Sequence, residues 1–391
     1  MEIMTTNKIK HPRRHFLKKL AVSSFIASAI PPMHLVTGEA WEDPQYLLNN
    51  DKKIDVHTHI SSDAVYLREV MDDLNLKMLT ICNEGLKSDR LEAQRKAAIV
   101  ISEKYPRYYT WCTTFDLNGT DSPGWSNRVI GRLKEDFERG ALAVKVWKEI
   151  GMQLKNKDGN FIQIDHPVFE PVLDFISSEK KPLFMHIGDP VEYWLSTGAD
   201  GLPDAWYAEG NDVWNRIGKF RGEVSYDTLM HARDRIIKKY SELMIVGCHM
   251  GSMAFDVDLI AERLDKFPNF AVETSFTIPD LMGQSREMVR AFFMEYQDRI
   301  LYGSDISGGL VATPFLVDMS KINERWSTEE ISKLKQELYS QYEHDFYYFA
   351  TDQEFQRKNY KVRGLALPED VIQKLFFDNA VFWVPGIEKA F

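Results

Sequence analysis

The sequence predicts an α/β protein, a closed (β/α)8 TIM barrel with long loops after strands five and eight. Three observations carry that expectation. Eight short β-branched or aromatic runs recur between residues 53 and 305, segments with helical periodicity lie between them, and histidines and an aspartate fall at the ends of the runs. Alternation of this kind calls for parallel strands joined by crossover helices. Eight units over roughly 340 residues suit a closed barrel better than an open doubly wound sheet. No glycine-rich phosphate fingerprint follows the first run, which weakens a nucleotide-binding reading.

The runs are KIDVHT (53–58), LKMLTIC (76–82), YYTWCT (108–113), ALAVKVW (141–147), PLFMHI (182–187), LMIVGC (243–248), FAVETS (270–275) and ILYGSD (300–305). In the first, strict alternation sends Ile54, Val56, Thr58 and Ile60 to one face and Asp55, His57 and His59 to the other. SDRLEAQRKAAIVISEKY, WSNRVIGRLKEDFERG, SYDTLMHARDRIIKKYSE and SREMVRAFFMEYQDR are the clearest helical segments, several opening on a Ser or Asp that suits an N-cap. Two connections are long, 188–225 and 306–367, and both leave strand C-termini, where such barrels carry their sites. The first holds Trp194, Trp206, Tyr207 and Trp214; the second holds WSTEEISKLKQELYSQYEHDFYYF, one or two helices with an aromatic face.

Composition limits the partners. The 391 residues are 44% hydrophobic and 27% charged with a formal charge of −10, a globular balance without the basic clusters that a nucleic-acid groove needs. Small molecules are the expected partners, and a homo-oligomer stays open. Cys82, Cys112 and Cys248 lie in or at the end of apolar runs, as buried thiols do. The N-terminus differs: RRHFLK, then a short Ala- and Ser-rich apolar stretch from Leu20 to Ile30, too short for a permanent membrane span. Residues 1–40 therefore read as a twin-arginine-like export signal and linker, cleaved after Ala29 or Ala40, ahead of a barrel domain at 45–391. The expected location is the periplasm or another exported compartment.

Placed on the barrel, the polar residues converge. His57 and His59 end strand one, Lys145 lies near the end of strand four facing the axis, His186 ends strand five, His249 follows strand six, and Asp305 ends strand eight. Imidazole nitrogen and carboxylate oxygen suit Zn²⁺ or a similar divalent ion with a position left open. The ligands read from this placement are His57, His59, His186 and Asp305. Such an ion makes hydroxide available from water near neutral pH. Asp305 would then also take the proton from the attacking water, and His249 would polarise a substrate carbonyl or hold the water.

The ordered set His57, His59, Lys145, His186, His249 and Asp305 resembles the amidohydrolase superfamily. The blocks LAVKVWKEIG, FMHIGDP, GCHMGSMAFDVDLIAERLDKFPNFAVETS, FFMEYQDRILYGSDI and LPEDVIQKLFFDNAVFW are similar to its amidohydrolase-related branch, which also contains decarboxylases similar to aminocarboxymuconate semialdehyde decarboxylase. The resemblance spans most of residues 50–385. It implies a metal-dependent hydrolase of an ester, lactone, amide or related bond, with non-oxidative decarboxylation as the first alternative and a catalytically inactive ligand-binding barrel as the second. It also implies that Lys145, if carboxylated, would bridge two metals, with His186 and His249 on the second. One metal is the favoured count, with Lys145 available to a substrate carboxylate. Glu273 stands where the resemblance leads one to expect aspartate. Asp55 is read as structural or supporting, Trp147 and Lys148 as pocket wall, Asp189 as within reach, and His166, His231 and His344 as solvated.

Overall fold

The computed structural model describes residues 44–62, 64–194, 224–307, 327–357 and 360–391. All of them belong to one unit, Glu42–Phe391. The expected export signal, 1–40, lies outside the described residues.

The expected runs form one parallel sheet that closes on itself. Its strands are β1 (Lys53–His59), β2 (Leu76–Ile81), β3 (Tyr109–Thr113), β4 (Ala141–Val146), β5 (Leu183–Met185), β6 (Ile245–Gly247), β7 (Phe270–Glu273), β8 (Ile300–Leu301) and β9 (Ile306–Ser307). Each pairs with the next from β1 to β8, and β9 pairs back onto β1. The protein is a (β/α)8 barrel. Its eighth strand is broken, contrary to the single run expected at 300–305: Tyr302 to Asp305 leave the regular ladder, and β8 (Ile300–Leu301) and β9 (Ile306–Ser307) are the two remnants.

The four quoted helical segments are helices at Ser88–Lys104, Trp125–Glu138, Tyr226–Lys239 and Arg286–Glu295. Ser225 and Ser285 cap the last two by accepting the amides of Thr228 and Met288, whereas Ser88 lies inside its helix and makes no cap. In the second long connection one helix, Thr328–Ala350, opens on a capping box of Ser327 and Glu330 and buries Leu334, Leu338, Tyr342, Phe346 and Phe349. It leads to a hairpin of β10 (Glu354–Arg357) and β11 (Tyr360–Arg363). Of the first long connection, Trp194 donates to the Val224 carbonyl at 2.7 Å; Trp206, Tyr207 and Trp214 lie outside the described residues.

Two apolar layers hold the cylinder. Val144 and Val146 point outward to the helices. Ala143 points inward, where it joins Ile54, Val56, Phe184, Val246, Ala271 and Leu301, so the neighbouring Lys145 faces the axis as the alternation predicts. Ala380 and Trp383 from the C-terminal helix Asn379–Trp383, with Val384 and Ile387 just after it, complete this inner cluster, and the Trp383 indole donates to the Asp298 carbonyl just before β8 at 3.0 Å. The strand N-terminal mouth is thereby plugged, and the opposite mouth carries the polar residues. Among the described residues no helix is long and apolar enough to cross a membrane. The three cysteines are free and buried.

The plug is testable. Trp383→Ala empties a filled interior and is expected to cost about 3–5 kcal/mol of stability, measured by chemical denaturation of the full chain.

Candidate metal centre

A bulge sets the site. Between Asp55 and Thr58 the register of β1 against β2 shifts, three residues on β1 spanning two on β2. Strict alternation is broken there, so Asp55 does not share the face of His57, as the sequence led us to expect. Its carboxylate turns outward and accepts from the amides of His57 (3.0 Å) and Ser304 (3.1 Å), the Ser304 hydroxyl (2.5 Å) and the Tyr342 phenol (2.8 Å). Burial pushes this carboxyl up to about 7 despite those bonds. Asp55 is thus the staple between β1, the broken strand and the helix Thr328–Ala350.

Inside the mouth, His57, His59 and Asp305 bring one ligand atom each within 4.8 Å of one another. The Asp305 amide donates to the His57 carbonyl at 2.8 Å, and its backbone takes a left-handed φ of +64°. Its Oδ1 stands 3.3 Å from His59 Nε2 and 3.6 Å from His57 Nε2. The other nitrogen of each ring is committed: His59 Nδ1 lies 2.9 Å from the Ile81 carbonyl, and His57 Nδ1 lies 2.8 Å from the Glu273 carboxylate. Acceptors on the Nδ1 side place the proton there and leave Nε2 as a bare lone pair. Two imidazole lone pairs and a carboxylate oxygen then face one another, an arrangement that a cation between them satisfies. The donor set fits a borderline divalent ion.

His186 and His249 stand beside this group. Their strands end earlier than expected, and His249 occupies a left-handed turn at φ +54°. His249 Nε2 is 3.1 Å from His186 Nδ1, and the His249 ring lies 4.9 Å from that of His57. His186 Nε2 is turned toward Asp189 Oδ1, 4.0 Å away; Asp189 in turn binds Lys148 at 2.5 Å. Lys145 is buried with Nζ 3.2 Å from His57 Nε2 and 3.1 Å from Cys248 Sγ.

Burial, and then the Lys145 charge, hold the His57 imidazole down at about 4. Burial and His249 hold His186 well below the usual range. Burial would raise Glu273, but the His57 contact outweighs it and brings the carboxyl to about 2. For Asp305 burial is likewise outweighed, by the neighbouring His59 and His57 rings, and its carboxyl lies well below the usual range. Neutral rings at His57 and His186 beside ionised Glu273 and Asp305 are the protonation states a metal site needs.

A family model described as amidohydrolase matches residues 54–383. The chain belongs to the amidohydrolase family. No curated protein matches the sequence. Among solved structures the chain is similar to 2,6-dihydroxybenzoate decarboxylase from Rhizobium, at 13% identity over 85% of this chain and 98% of that one, with a TM-score of 0.48. It is similar to 5-carboxyvanillate decarboxylase from Sphingomonas paucimobilis, at 12% identity over 85% and 98%, TM-score 0.44. An uncharacterised TIM-barrel protein from Bordetella bronchiseptica matches at 11% over 85% and 98%, TM-score 0.46.

Glu273, Ser275 and Gly303 are the residues whose part sequence reasoning missed. Glu273 showed only as a buried acid inside an apolar strand, and its partner is 216 positions away. Gly303 is required by closeness: a Cβ there would lie 2.6 Å from Glu273 Oε2 and 2.9 Å from the His57 Cβ.

Two outcomes follow. Gly303→Ala pushes Glu273 off His57 and is expected to weaken divalent-metal binding and to cost about 1–3 kcal/mol, read by metal titration and denaturation. For pH, the folded state refuses at His57 a proton that the unfolded chain accepts between about 4 and 6.5. Stability of the metal-free protein therefore falls as pH drops through that window, by about 2 kcal/mol between pH 7 and 5. Denaturation of wild type against His57→Gln at both pH values checks it, the variant showing the smaller loss.

Proposed function

We propose that this chain is a metal-dependent enzyme acting on a small carboxylate, and that it removes the carboxyl group without oxidation. His57, His59, His186 and Asp305 would hold one divalent ion of the zinc or manganese type. The charge of the mouth carries the reading. Set against Glu273, Asp305 and Asp189, a divalent ion with Lys145 and Lys148 leaves one positive charge, which a small anion cancels.

When bound, the ion supplies Lewis-acid polarisation of a substrate oxygen. Asp305, ionised and 27% exposed at its side chain, is the group open to the substrate that can carry a proton. It takes one from an acidic hydroxyl of the substrate or from water and returns it to carbon as carbon dioxide leaves. His249, its Nε2 bare, accepts from and orients a water or a substrate hydroxyl from the β6 side, which requires it to part from His186. Lys148, steadied by Asp189, faces the substrate anion. Hydrolysis of an ester, lactone or amide is the second reading: an ionised Asp305 can equally take the proton of an attacking water.

We also propose that residues 1–40 direct export and are removed. The mature N-terminus of protein recovered from the periplasm, read by mass spectrometry, tests this; a retained Arg13-Arg14 overturns it.

A panel of aromatic and unsaturated carboxylic acids, lactones, esters and amides, run in ¹⁸O-water with manganese or zinc, separates the reactions. Decarboxylation gives one carbon dioxide per product and no solvent oxygen in the organic product, whereas hydrolysis places ¹⁸O there. Asp305→Asn is expected to lower turnover by about 10²–10⁴. His186→Ala is expected to lose both bound metal and activity; unchanged turnover would remove His186 from the ligand set.

A further inference from the structure

Behind the rings that face the mouth lies a buried group of contacts with a single consistent proton arrangement. Glu273 ends β7 with no exposed surface. Its Oε1 is 2.8 Å from His57 Nδ1, 2.8 Å from the His249 amide and 2.8 Å from the Ser275 hydroxyl, and its Oε2 is 2.6 Å from the Ser275 amide. The same Ser275 hydroxyl is 2.9 Å from His57 Nδ1 and 2.9 Å from His249 Nδ1. The Ser275 carbonyl lies 2.9 Å from His249 Nδ1 as well.

Each Glu273 oxygen already accepts a backbone amide, so the carboxylate is set as an acceptor and the Ser275 hydroxyl gives it its one proton. Its lone pairs are then left toward both imidazoles. Each Nδ1 must therefore carry hydrogen, and each Nε2 must be bare. His57 comes from the first strand and His249 from beyond the sixth, yet one hydroxyl and one carboxylate order both.

We infer that Glu273 and Ser275 are positioning residues that fix His57 and His249 together as Nδ1–H tautomers, leaving the His57 Nε2 lone pair toward the mouth, 3.2 Å from Lys145 Nζ, and the His249 Nε2 lone pair toward His186 Nδ1 at 3.1 Å. The pairing explains why a carboxylate is buried at the end of β7, and why Gly303 leaves it room. It also explains the strained backbone of His249, whose amide must turn back to reach Glu273. Misplacing the proton on His57 would aim N–H at a cation, and misplacing it on His249 would aim N–H at His186; metal-site histidines rely on such partners for about 10–100-fold in affinity or activity. The inference rests on the proposed function only in taking the mouth as the place where a cation is bound.

Long-range ¹H–¹⁵N correlation spectra of the metal-free full chain test it directly, assigned with His57→Gln and His249→Gln. Both rings are expected to show a protonated Nδ1 and an unprotonated Nε2 at neutral pH. An Nε2–H tautomer at either ring in wild type overturns the inference. In Ser275→Ala the backbone carbonyl of residue 275 still accepts from His249 and Glu273 still accepts from His57, so both rings are expected to keep Nδ1–H; in Glu273→Gln His57 is expected to become a mixture of tautomers. Titration with Zn²⁺ or Mn²⁺ gives the second readout: Glu273→Gln is expected to bind about 10–100-fold more weakly with unchanged stoichiometry. A folded Glu273→Gln that keeps wild-type affinity and tautomers removes the positioning role. If wild type binds no metal, the proposed function fails while the spectra still decide the tautomers.

Discussion

Besides the β1–β9 ladder, two backbone hydrogen bonds join the first strand to the last, Val56 to Tyr302 at 3.0 Å and Asp305 to His57 at 2.8 Å, and between them the eighth strand is broken. Closing a parallel sheet at this seam determines everything at the mouth. A strand running straight through residues 302–305 would keep its regular register; the break lets Asp305 swing over His57 and His59. The Asp55 carboxylate makes the break affordable by taking up the Ser304 amide and hydroxyl, so backbone donors freed from the sheet are not left bare in the interior.

Strain collects at the same end of the barrel. Glu84, His249, Met250, Ser252, Phe276 and Asp305 all take left-handed backbone angles just past their strands, at about 1–2 kcal/mol each for residues with a side chain. The inner cluster of Ile54, Val56, Phe184, Val246 and Trp383 at the other end is regular and fully packed. A cylinder stabilised at its base can hold conformations at its mouth that an isolated loop would relax, and ordered lone pairs aimed at one point are what such strain secures here.

Charge is distributed in layers across that mouth. Glu273 sits deepest, its acid strengthened by His57; the imidazoles lie above it; Asp305 reaches the surface. Lys145 is buried against His57 and Cys248, whereas Lys148, which the sequence suggested only as pocket wall, is partly exposed and paired with Asp189. The resulting site is cationic once a divalent ion is present, with one open carboxylate to move protons.

The barrel was legible because local pattern and global fold agree: period-two runs alternate with helical ones, and parallel pairing follows from their order. The polar side chains gathered at the mouth were legible too, since His57 and His59 sit on one strand end and Asp305 on another. Less legible was the face of Asp55, because a bulge is a tertiary compromise that alternation does not announce. Nor could sequence spacing reveal that the buried acid at 273 would meet an imidazole more than two hundred residues earlier. By itself, then, the sequence determined the architecture and which polar side chains crowd one mouth. Only closure of the cylinder decided which nitrogen of each ring carries hydrogen, which carboxylates face inward and where the last strand breaks, because these depend on contacts between strands that are far apart in the chain.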